Sequence, residues 1–581
     1  MSRTLRTCLL STTVVFAFAL SACGDSGTST IDPGSTADVP GTDQGDGDLG
    51  TDPGVADPGI DEWTPTDEGA PDVPPADVAP DATPDTGWEV ITPPIPFGPE
   101  NRGYATFRGI VHLHSRYSHD GCWDGDDALR PGVDYYDACQ QELREAACKS
   151  GVSFMMLTDH PSNARSQTFE ALVQHMADAG DQMVYDGQGR PFANRMTCPE
   201  GSLVDHAYFF AGTEGSKQMP VGLAGLNPPQ ALPLPAPIFD QNVADEAPLE
   251  AAQAHIAAVH EQDGYAFVCH PEQGDLSVER IIALPLDGIE IFNFHPALMQ
   301  ALTDFNLLLM IDRFMGDPAT SANPDLAILP FLKPIANDTK KFDASVPHIR
   351  LTAFGATDIH RNVQIPSLCT EVESCFDTWP EYPHFAQLLV AGGPAILSDG
   401  YQMDGYARSF RWMANHVLVP DSDAADAQPA TLPDAMRDAT GLGRGFASFD
   451  LMGMPTGFDF FAVADGEPVE MGQVVAGADD VVLYIRAPML TEPDWGFGGA
   501  DDPAKAAMVT KLIRATADGA ETVLEAPGQG RTLSFAVDGP AVFRVEVWVT
   551  PTHLAPVLDR VEVLASHDYP YIYSNAVFVR P

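Results

Sequence analysis

Apolar runs typical of β-strands alternate with helical stretches from about residue 101 onward. Strand patterns cover 107–115, 152–160, 208–216, 265–271, 289–293 and 351–360, and helical patterns cover 137–150 and 249–261. Alternation of this kind is typical of a parallel sheet or an α/β barrel. We therefore predict an α/β domain over residues 101–420.

The pattern changes after residue 420. A predicted helix and a glycine-rich turn are followed by short strand patterns at 481–487, 511–515, 531–537, 542–549 and 571–579. Turn residues at short spacing favour an antiparallel arrangement of such strands. We predict that residues 421–581 form a helix-turn segment and a C-terminal antiparallel β-sandwich-like domain. Packing against the preceding domain is favoured over an independent carbohydrate-binding role.

The first 22 residues have the pattern of a secretory signal peptide. Arg3 and Arg6 precede an apolar stretch that ends at residue 22 and is too short for a permanent membrane helix. The sequence LSAC at 20–23 resembles the lipobox of bacterial lipoproteins, which implies lipidation of Cys23. We expect an exported lipoprotein of the cell envelope, at the outer membrane or cell surface, with lipid as its only membrane attachment. An ordinary signal peptide with an unmodified Cys23 is the alternative.

An acidic segment follows, and the whole chain carries a formal net charge of −51. Residues 24–100 contain 18 acidic residues and 14 prolines and no Lys or Arg. Few large apolar residues and strong self-repulsion predict a disordered linker over 23–100. The acidic excess argues against nucleic-acid binding and against an anionic-membrane surface, since both need clustered basic residues.

Seven cysteines remain after the signal peptide and Cys23 are set aside. In an exported protein six of them could form three disulfides, with one left over. Cys269 is the expected unpaired residue, because it lies inside an apolar strand pattern. Cys369 and Cys375 are the favoured pair, since they lie close together in a polar loop. The pairing of the remaining four stays open.

The predicted strands share one feature, which is that each ends in His, Asp or Glu. A strand period of two places His112 and His114 on one face. The carboxyl ends of parallel strands meet at one rim, so these side chains are expected to converge. Imidazoles and carboxylates together suit Zn, Mn or Fe. The alternative is a set of unrelated, partly buried histidines.

The same residues carry a family resemblance. HLHS at 112–115, SHDG at 118–121, TDH at 158–160, GTE at 212–214, HP at 270–271, GIEIFN at 288–293 and GATDIH at 355–360 resemble the ordered motifs of the polymerase and histidinol phosphatase (PHP) family. The resemblance covers about residues 105–362. It implies a distorted (β/α)7 barrel with two or three divalent transition metals and phosphoesterase activity.

The resemblance also implies a ligand set. One metal would be held by His112, His114, Glu214 and Asp358, and Glu214 would bridge to a second metal held by His270. A third would be held by Asp120, His160 and His360. The family commonly supplies another histidine soon after the bridging glutamate, and this chain has none there. The possible substitutes are His206, His255, His260 and His295, each of which could instead be a surface or structural histidine.

Four further residues lie beside these ligands in the sequence. Arg116 and Arg361 could bind a phosphate group, or could form salt bridges at the rim. Asp159 and His119 could orient ligands or act as a general acid.

We expect a metal-dependent phosphoesterase that hydrolyses a small-molecule phosphate mono- or diester. One alternative is an amide or ester hydrolase of the amidohydrolase type. A metal-bridging lysine at a strand end would support this alternative, and Lys333 is the candidate. A second alternative is a non-catalytic surface binding protein with a degenerate metal site, suggested by the missing histidine.

Overall fold

The computed structural model describes residues 91–118, 120–122, 135–164, 167–215, 218–221, 248–272, 276–294, 296–297, 323–365, 393–397, 399–424, 430–477, 480–493 and 496–581. The predicted signal peptide, Cys23 and nearly all of the predicted linker lie outside these residues. His119, His295, Cys369 and Cys375 also lie outside them. Residues 90–581 belong to one compact unit.

The first part of the described chain alternates strands with helices. The helices are α1 (Tyr135–Lys149), α2 (Pro161–Ala164), α3 (Phe169–Leu172), α4 (Leu249–His260), α5 (Val278–Ala283), α6 (Ala336–Ser345) and α7 (Tyr406–Ser409). The strands are β1 (Tyr104–Leu113), β2 (Phe154–Leu157), β3 (Gln182–Tyr185), β4 (Pro191–Thr197), β5 (His206–Ala211), β6 (Gln218–Val221), β7 (Tyr265–Val268), β8 (Gly288–Asn293), β9 (Thr352–Ile359), β10 (Gln364–Ile365), β11 (Gly393–Pro394) and β12 (Ala414–Pro420).

The second part is dominated by strands. Its helices are α8 (Asp421–Ala424), α9 (Thr431–Gly441) and α10 (Ala555–Leu558). Its strands are β13 (Gly445–Ser448), β14 (Met454–Thr456), β15 (Asp459–Ala464), β16 (Glu467–Glu470), β17 (Val474–Ala476), β18 (Val481–Arg486), β19 (Met489–Thr491), β20 (Ala507–Thr516), β21 (Gly519–Pro527), β22 (Thr532–Ala536), β23 (Ala541–Thr550), β24 (Tyr569–Ser574) and β25 (Val577–Arg580). Short 3-10 helices cover Pro99–Arg102, Ala177–Ala179, Pro324–Phe331, Asp450–Met452, Pro503–Lys505, Thr552–Leu554 and Asp559–Ser566.

A mixed sheet in the order β3-β4-β5-β2-β1-β9-β8-β7-β6 forms the framework of the first part. The inner strands from β5 to β7 pair in parallel, and the outer pairs on each side are antiparallel. This arrangement confirms the α/β class. No pairing between described residues joins β3 to β6, so the (β/α)7 barrel stays a prediction.

The sheet continues past residue 420, where the domain boundary was predicted. The first half of β1 pairs antiparallel with β12, which pairs in turn with β13. Strand β13 pairs with β24, and β24 with β23. Strands β16, β15, β18 and β22 form a separate four-stranded antiparallel sheet. The largely antiparallel pairing predicted for the C-terminal residues is therefore confirmed.

The parallel strands are buried on both faces. Every residue of β2 and of β8 is buried, as is typical of parallel sheets whose faces are both covered. Helix α1 covers one face with Cys139, Leu143 and Ala146, positions that share one side of a helix. Glu290 and Asn293 are polar residues within buried β8, and their partners lie in the candidate site described below.

Two disulfides join described residues, Cys122–Cys139 and Cys148–Cys198. Each ties helix α1 to a neighbouring segment. Cys269 is buried and unpaired, as predicted. No helix in the described part of the chain has the length and apolarity needed to cross a bilayer.

Candidate metal centre

At the end of strand β1 two imidazoles come together, but the backbone geometry that brings them together differs from the predicted one. Regular alternation was expected to place His112 and His114 on one face. Instead His112 has a φ of 61°, and the register of β1 against both β2 and β9 shifts between Val111 and Leu113. The irregularity is a local bulge, of the kind that redirects a side chain near a functional site. Both Nε2 atoms therefore face the same two carboxylates.

These four side chains form a compact buried group. His112 Nε2 lies 3.1 Å from Glu214 Oε2 and 3.2 Å from Asp358 Oδ1. His114 Nε2 lies 3.0 Å and 3.4 Å from the same two oxygens. A tetrahedral metal with ligand bonds of about 2.1 Å separates its ligands by roughly 3.4 Å. The spacing within the group is close to that value.

The fit to a metal rests on the atoms that lack partners. His112 Nε2, His114 Nε2, Glu214 Oε2 and Asp358 Oδ1 are buried and have no hydrogen-bond partner among the described residues. An unsatisfied buried polar atom is costly, and four that converge on one point call for a shared cation. Two imidazoles and two carboxylates suit a divalent transition metal. These residues could hold such an ion.

Charge coupling within the group is strong. Burial opposes ionisation of Glu214, but the charges of His112 and His160 outweigh it and hold the pKa of Glu214 well below its usual range. Burial likewise opposes protonation of His112, yet Asp358 and Glu214 raise its pKa well above the usual value. Metal binding would therefore release protons from these imidazoles, so metal affinity should fall as pH falls.

His270 lies on the other side of Glu214. Its Nε2 is 2.9 Å from Glu214 Oε1 and 3.5 Å from Asp358 Oδ2. Glu214 thus presents Oε2 to His112 and His114, and Oε1 to His270. This is the placement that a carboxylate shared by two metals requires.

The predicted substitutes for the missing histidine have other surroundings where the structure describes them. His260 Nε2 lies 2.8 Å from Asp287 Oδ2, and His206 Nε2 contacts Arg195. His255 lies on helix α4, where burial lowers its pKa to about 4. None of these three belongs to the metal-binding groups found in the described residues.

A second group contains Asp120, His160 and His360 together with His114. Asp120 Oδ2 is 3.5 Å from His160 Nε2 and 3.4 Å from His360 Nε2. We call Asp120, His160 and His360 the Asp120 site. Burial, with the nearby charge of His114, lowers the pKa of His360 to about 3, so this imidazole is neutral at pH 7. Its Nδ1 lies 3.0 Å from the Asp358 carbonyl, which leaves Nε2 as the metal-binding nitrogen.

Three of the residues predicted to assist catalysis lie in the described part of the chain, and each has a partner other than a metal ligand. Asp159 is buried and accepts bonds from Ser115 N at 2.5 Å and Ser115 Oγ at 2.7 Å. Arg116 Nη2 donates to Tyr117 Oη at 2.8 Å. Arg361 Nε donates to Glu142 Oε2 at 2.7 Å, which is the salt-bridge alternative at the rim. His119 lies outside the described residues.

Glu290 orients the imidazole of His112 and fixes the backbone at His270, a role that the sequence did not reveal. Its Oε1 lies 2.5 Å from His112 Nδ1, and its Oε2 accepts the backbone N–H of His270 at 2.8 Å. Asn293 also donates to Oε2, at 3.1 Å. A carboxylate on the second nitrogen fixes the tautomer and orientation of a metal-binding imidazole.

Asp338 is a second acidic residue that the sequence did not single out. It lies on helix α6, is fully buried, and has no hydrogen-bond partner for either carboxylate oxygen among the described residues. Burial and the charges of Glu272 and Glu290 raise its pKa to about 9. It is therefore a neutral acid at pH 7 in the metal-free protein.

Searches against protein-family models, curated proteins and solved structures found no match to this chain.

Proposed function

We propose that this chain is a metal-dependent phosphoric ester hydrolase of PHP type, with a small-molecule phosphate mono- or diester as substrate. The observation that carries the proposal is Glu214, whose two oxygens face two different sets of imidazoles. A shared carboxylate of this kind holds two cations close together, an arrangement common in enzymes that cleave phosphoesters. Export and attachment to the cell envelope through lipidated Cys23 belong to the same proposal.

The roles of the chain's own residues follow from their positions. His112, His114, Glu214 and Asp358 would hold one divalent ion, and Glu214 with His270 a second. The Asp120 site would hold a third. Bound divalent ions supply a water of lowered pKa and positive charge for the phosphoryl oxygens. Glu290 orients the imidazole of His112 and fixes the backbone at His270, and Asp159 fixes the backbone at Ser115 next to His114.

The test uses soluble protein lacking residues 1–23. We expect it to retain Zn, Mn or Fe on purification and to hydrolyse an aryl phosphate mono- or diester. Stoichiometric metal without activity on a broad phosphoester panel would contradict the proposal.

Two alternatives are decided by the same preparation. Amide or carboxyl ester hydrolysis in a panel with both bond types would favour the amidohydrolase type. That reading is weakened by the position of Glu214, because a carboxylate occupies the place between the imidazole sets where a bridging lysine was sought. The lack of another histidine soon after Glu214 in the sequence favours a non-catalytic binding protein. That class predicts less than one metal per chain and unchanged thermal stability after chelation.

A further inference from the structure

Asp404 is a buried carboxylate outside the predicted ligand set. It lies just before helix α7, and one of its oxygens accepts two backbone N–H groups. Asp404 Oδ2 is 2.6 Å from Asn362 N and 3.0 Å from Val363 N. These two residues follow His360 and Arg361 directly in the chain, so Asp404 fixes the segment that emerges from the metal-binding end of β9.

The fixed segment reaches the loop that carries Asp120. Asn362 Nδ2 donates to the Asp120 carbonyl at 3.0 Å. In the same region, Cys122 N donates to the His360 carbonyl at 2.7 Å. The two ligand-bearing loops are therefore hydrogen-bonded to each other directly. Asp404 fixes Asn362, whose side chain makes one of these bonds.

The backbone between His360 and Asn362 needs such an anchor. Arg361 has a φ of 54°, in the left-handed region that a non-glycine residue occupies at a cost. Its side chain is tied to helix α1 through Glu142. Without the acceptor at Asp404, the N–H groups of Asn362 and Val363 would be unsatisfied and the turn would be free to relax.

We propose that Asp404 is a positioning residue of the Asp120 site, because it holds Asn362 and thereby sets Asp120 and His360 at metal-binding distance. The inference rests on the metal centre of the proposed function, but it concerns metal retention and not the reaction catalysed. Its largest effect is expected at the Asp120 site, because the hydrogen bonds that Asp404 accepts come from Asn362 and Val363, directly after His360.

The experiment measures Zn²⁺ binding to the full chain in detergent, by elemental analysis and by titration against a competing chelator. Asp120→Ala removes a ligand of the Asp120 site, so it serves as the reference for the loss of that one ion. Asp404→Ala should weaken the same ion by about 10- to 100-fold, the range seen for residues that orient metal ligands. Asp404→Asn keeps an oxygen that can accept both N–H groups, so its affinity should stay within about twofold of the unchanged chain.

Asp399→Ala is the matched control. Asp399 is another acidic residue shortly before helix α7, and its carboxylate contacts Arg408 instead of the segment after His360. Its removal should leave the affinity of every ion unchanged.

Several outcomes would overturn the inference. They are an unchanged Zn²⁺ affinity in Asp404→Ala, an Asn variant as defective as the Ala variant, or an Asp120→Ala protein that keeps every ion. If Asp404→Ala does not fold, Asn362→Ala cuts the same connection at a half-buried residue, and full retention there would also overturn it. Normal Zn²⁺ binding with no phosphoester hydrolysis would refute the proposed function and leave this inference standing.

Discussion

Glu214 lies between two sets of imidazoles, so its charge should matter to more than one ion. Glu214→Gln keeps the shape of the side chain but removes its negative charge from both positions. We expect at least two ions to be lost or strongly weakened, with activity falling together with metal content. The measurement is elemental analysis of the purified variant beside activity on an aryl phosphate.

His112→Ala serves as the control for Glu214→Gln, since it removes a ligand of one ion only. Its metal content should fall by less than that of the glutamine variant. Full occupancy in Glu214→Gln would remove the bridging role. A loss of stability of about 3–5 kcal/mol with metal intact would instead identify a buried ion pair that holds no metal.

Asp338 gives a pH-dependent prediction for the metal-free protein. Its pKa rises from 3.8 to about 9 on folding, so the native state binds one more proton than the unfolded state between about pH 4 and 9. The free energy of unfolding therefore falls as pH rises, by up to about 1.4 kcal/mol per pH unit from this group. Asp338→Asn cannot ionise, so its stability relative to the unchanged protein should increase from pH 5 to pH 8. Urea denaturation in the presence of a chelator measures this.

Asp181→Asn is the matched control for Asp338→Asn. Asp181 is also buried, but hydrogen bonds from Arg144 and Asn194 outweigh burial and lower its pKa. Asp181 is ionised in both the folded and the unfolded state above about pH 5. The free energy of unfolding of Asp181→Asn should therefore be lower than that of the unchanged protein by an amount that does not change with pH. A constant difference for Asp338→Asn would contradict the assignment.

At the scale of single residues, the sequence was informative where chemistry coincides with a strand end. His112, His114, Glu214 and Asp358 were all found in this way, and the structure brings them together. Glu290 was noted only as part of the motif at 288–293, and its role was not predicted because a residue inside an apolar strand gives no indication of its partner. Its contact with His112 joins residues 178 positions apart, and such a contact follows from sheet order and not from local pattern.

At the scale of elements, most predicted positions agree with the structure to within a few residues. The helix predicted at 137–150 is found at Tyr135–Lys149, and the strand predicted at 351–360 at Thr352–Ile359. These elements have strong apolar periodicity, which reflects their burial. The bulge at His112 was not predicted, because its partners are distant in the sequence: Thr357 Oγ1 on β9 donates to the His112 carbonyl at 2.9 Å, and Glu290 on β8 contacts Nδ1. The pairing of β1 with β12 is also a long-range contact that no local pattern indicates.

The two disulfides should differ in their effect on the metal centre. Cys122 donates its N–H to the His360 carbonyl, so Cys122–Cys139 supports the Asp120 site. We expect Cys122→Ser with Cys139→Ser to weaken one Zn²⁺ ion. The 17-residue separation predicts a loss of stability of about 3 kcal/mol.

The control for this element is the pair Cys148→Ser with Cys198→Ser. Its 50-residue separation predicts a larger loss of stability, about 4 kcal/mol, yet Zn²⁺ binding should be unchanged. Chemical denaturation and elemental analysis of both double variants separate the two effects. If metal loss depended on stability alone, it would be greatest in the variant that lacks Cys148 and Cys198. That result would contradict the special role of Cys122–Cys139.

At the scale of the whole molecule, the C-terminal strands complete the framework that carries the ligands. Asn575 accepts a bond from Ala353 N at 2.6 Å and donates to the Ala353 carbonyl at 2.9 Å. Ala353 belongs to β9, the strand that carries Asp358. Buried Arg544 on β23 pairs with Asp343 of helix α6 at 2.7 Å and 2.8 Å. Two polar connections therefore join the last third of the chain to the metal-binding part.

These connections predict that residues 91–420 do not fold alone. The fragment would expose the edge of β12 that pairs with β13, and it would expose the face of helix α6 against which Arg544 packs through Asp343. Residues 91–581, which lack nearly all of the predicted linker, are the control and should unfold in one cooperative transition. Thermal unfolding followed by circular dichroism, together with Zn²⁺ binding, compares the two. The prediction would be contradicted by a 91–420 fragment that unfolds cooperatively and retains the same number of ions. That result would show that the predicted boundary at residue 420 separates independent domains. It would also show that the continuous sheet is not needed to hold the metal centre.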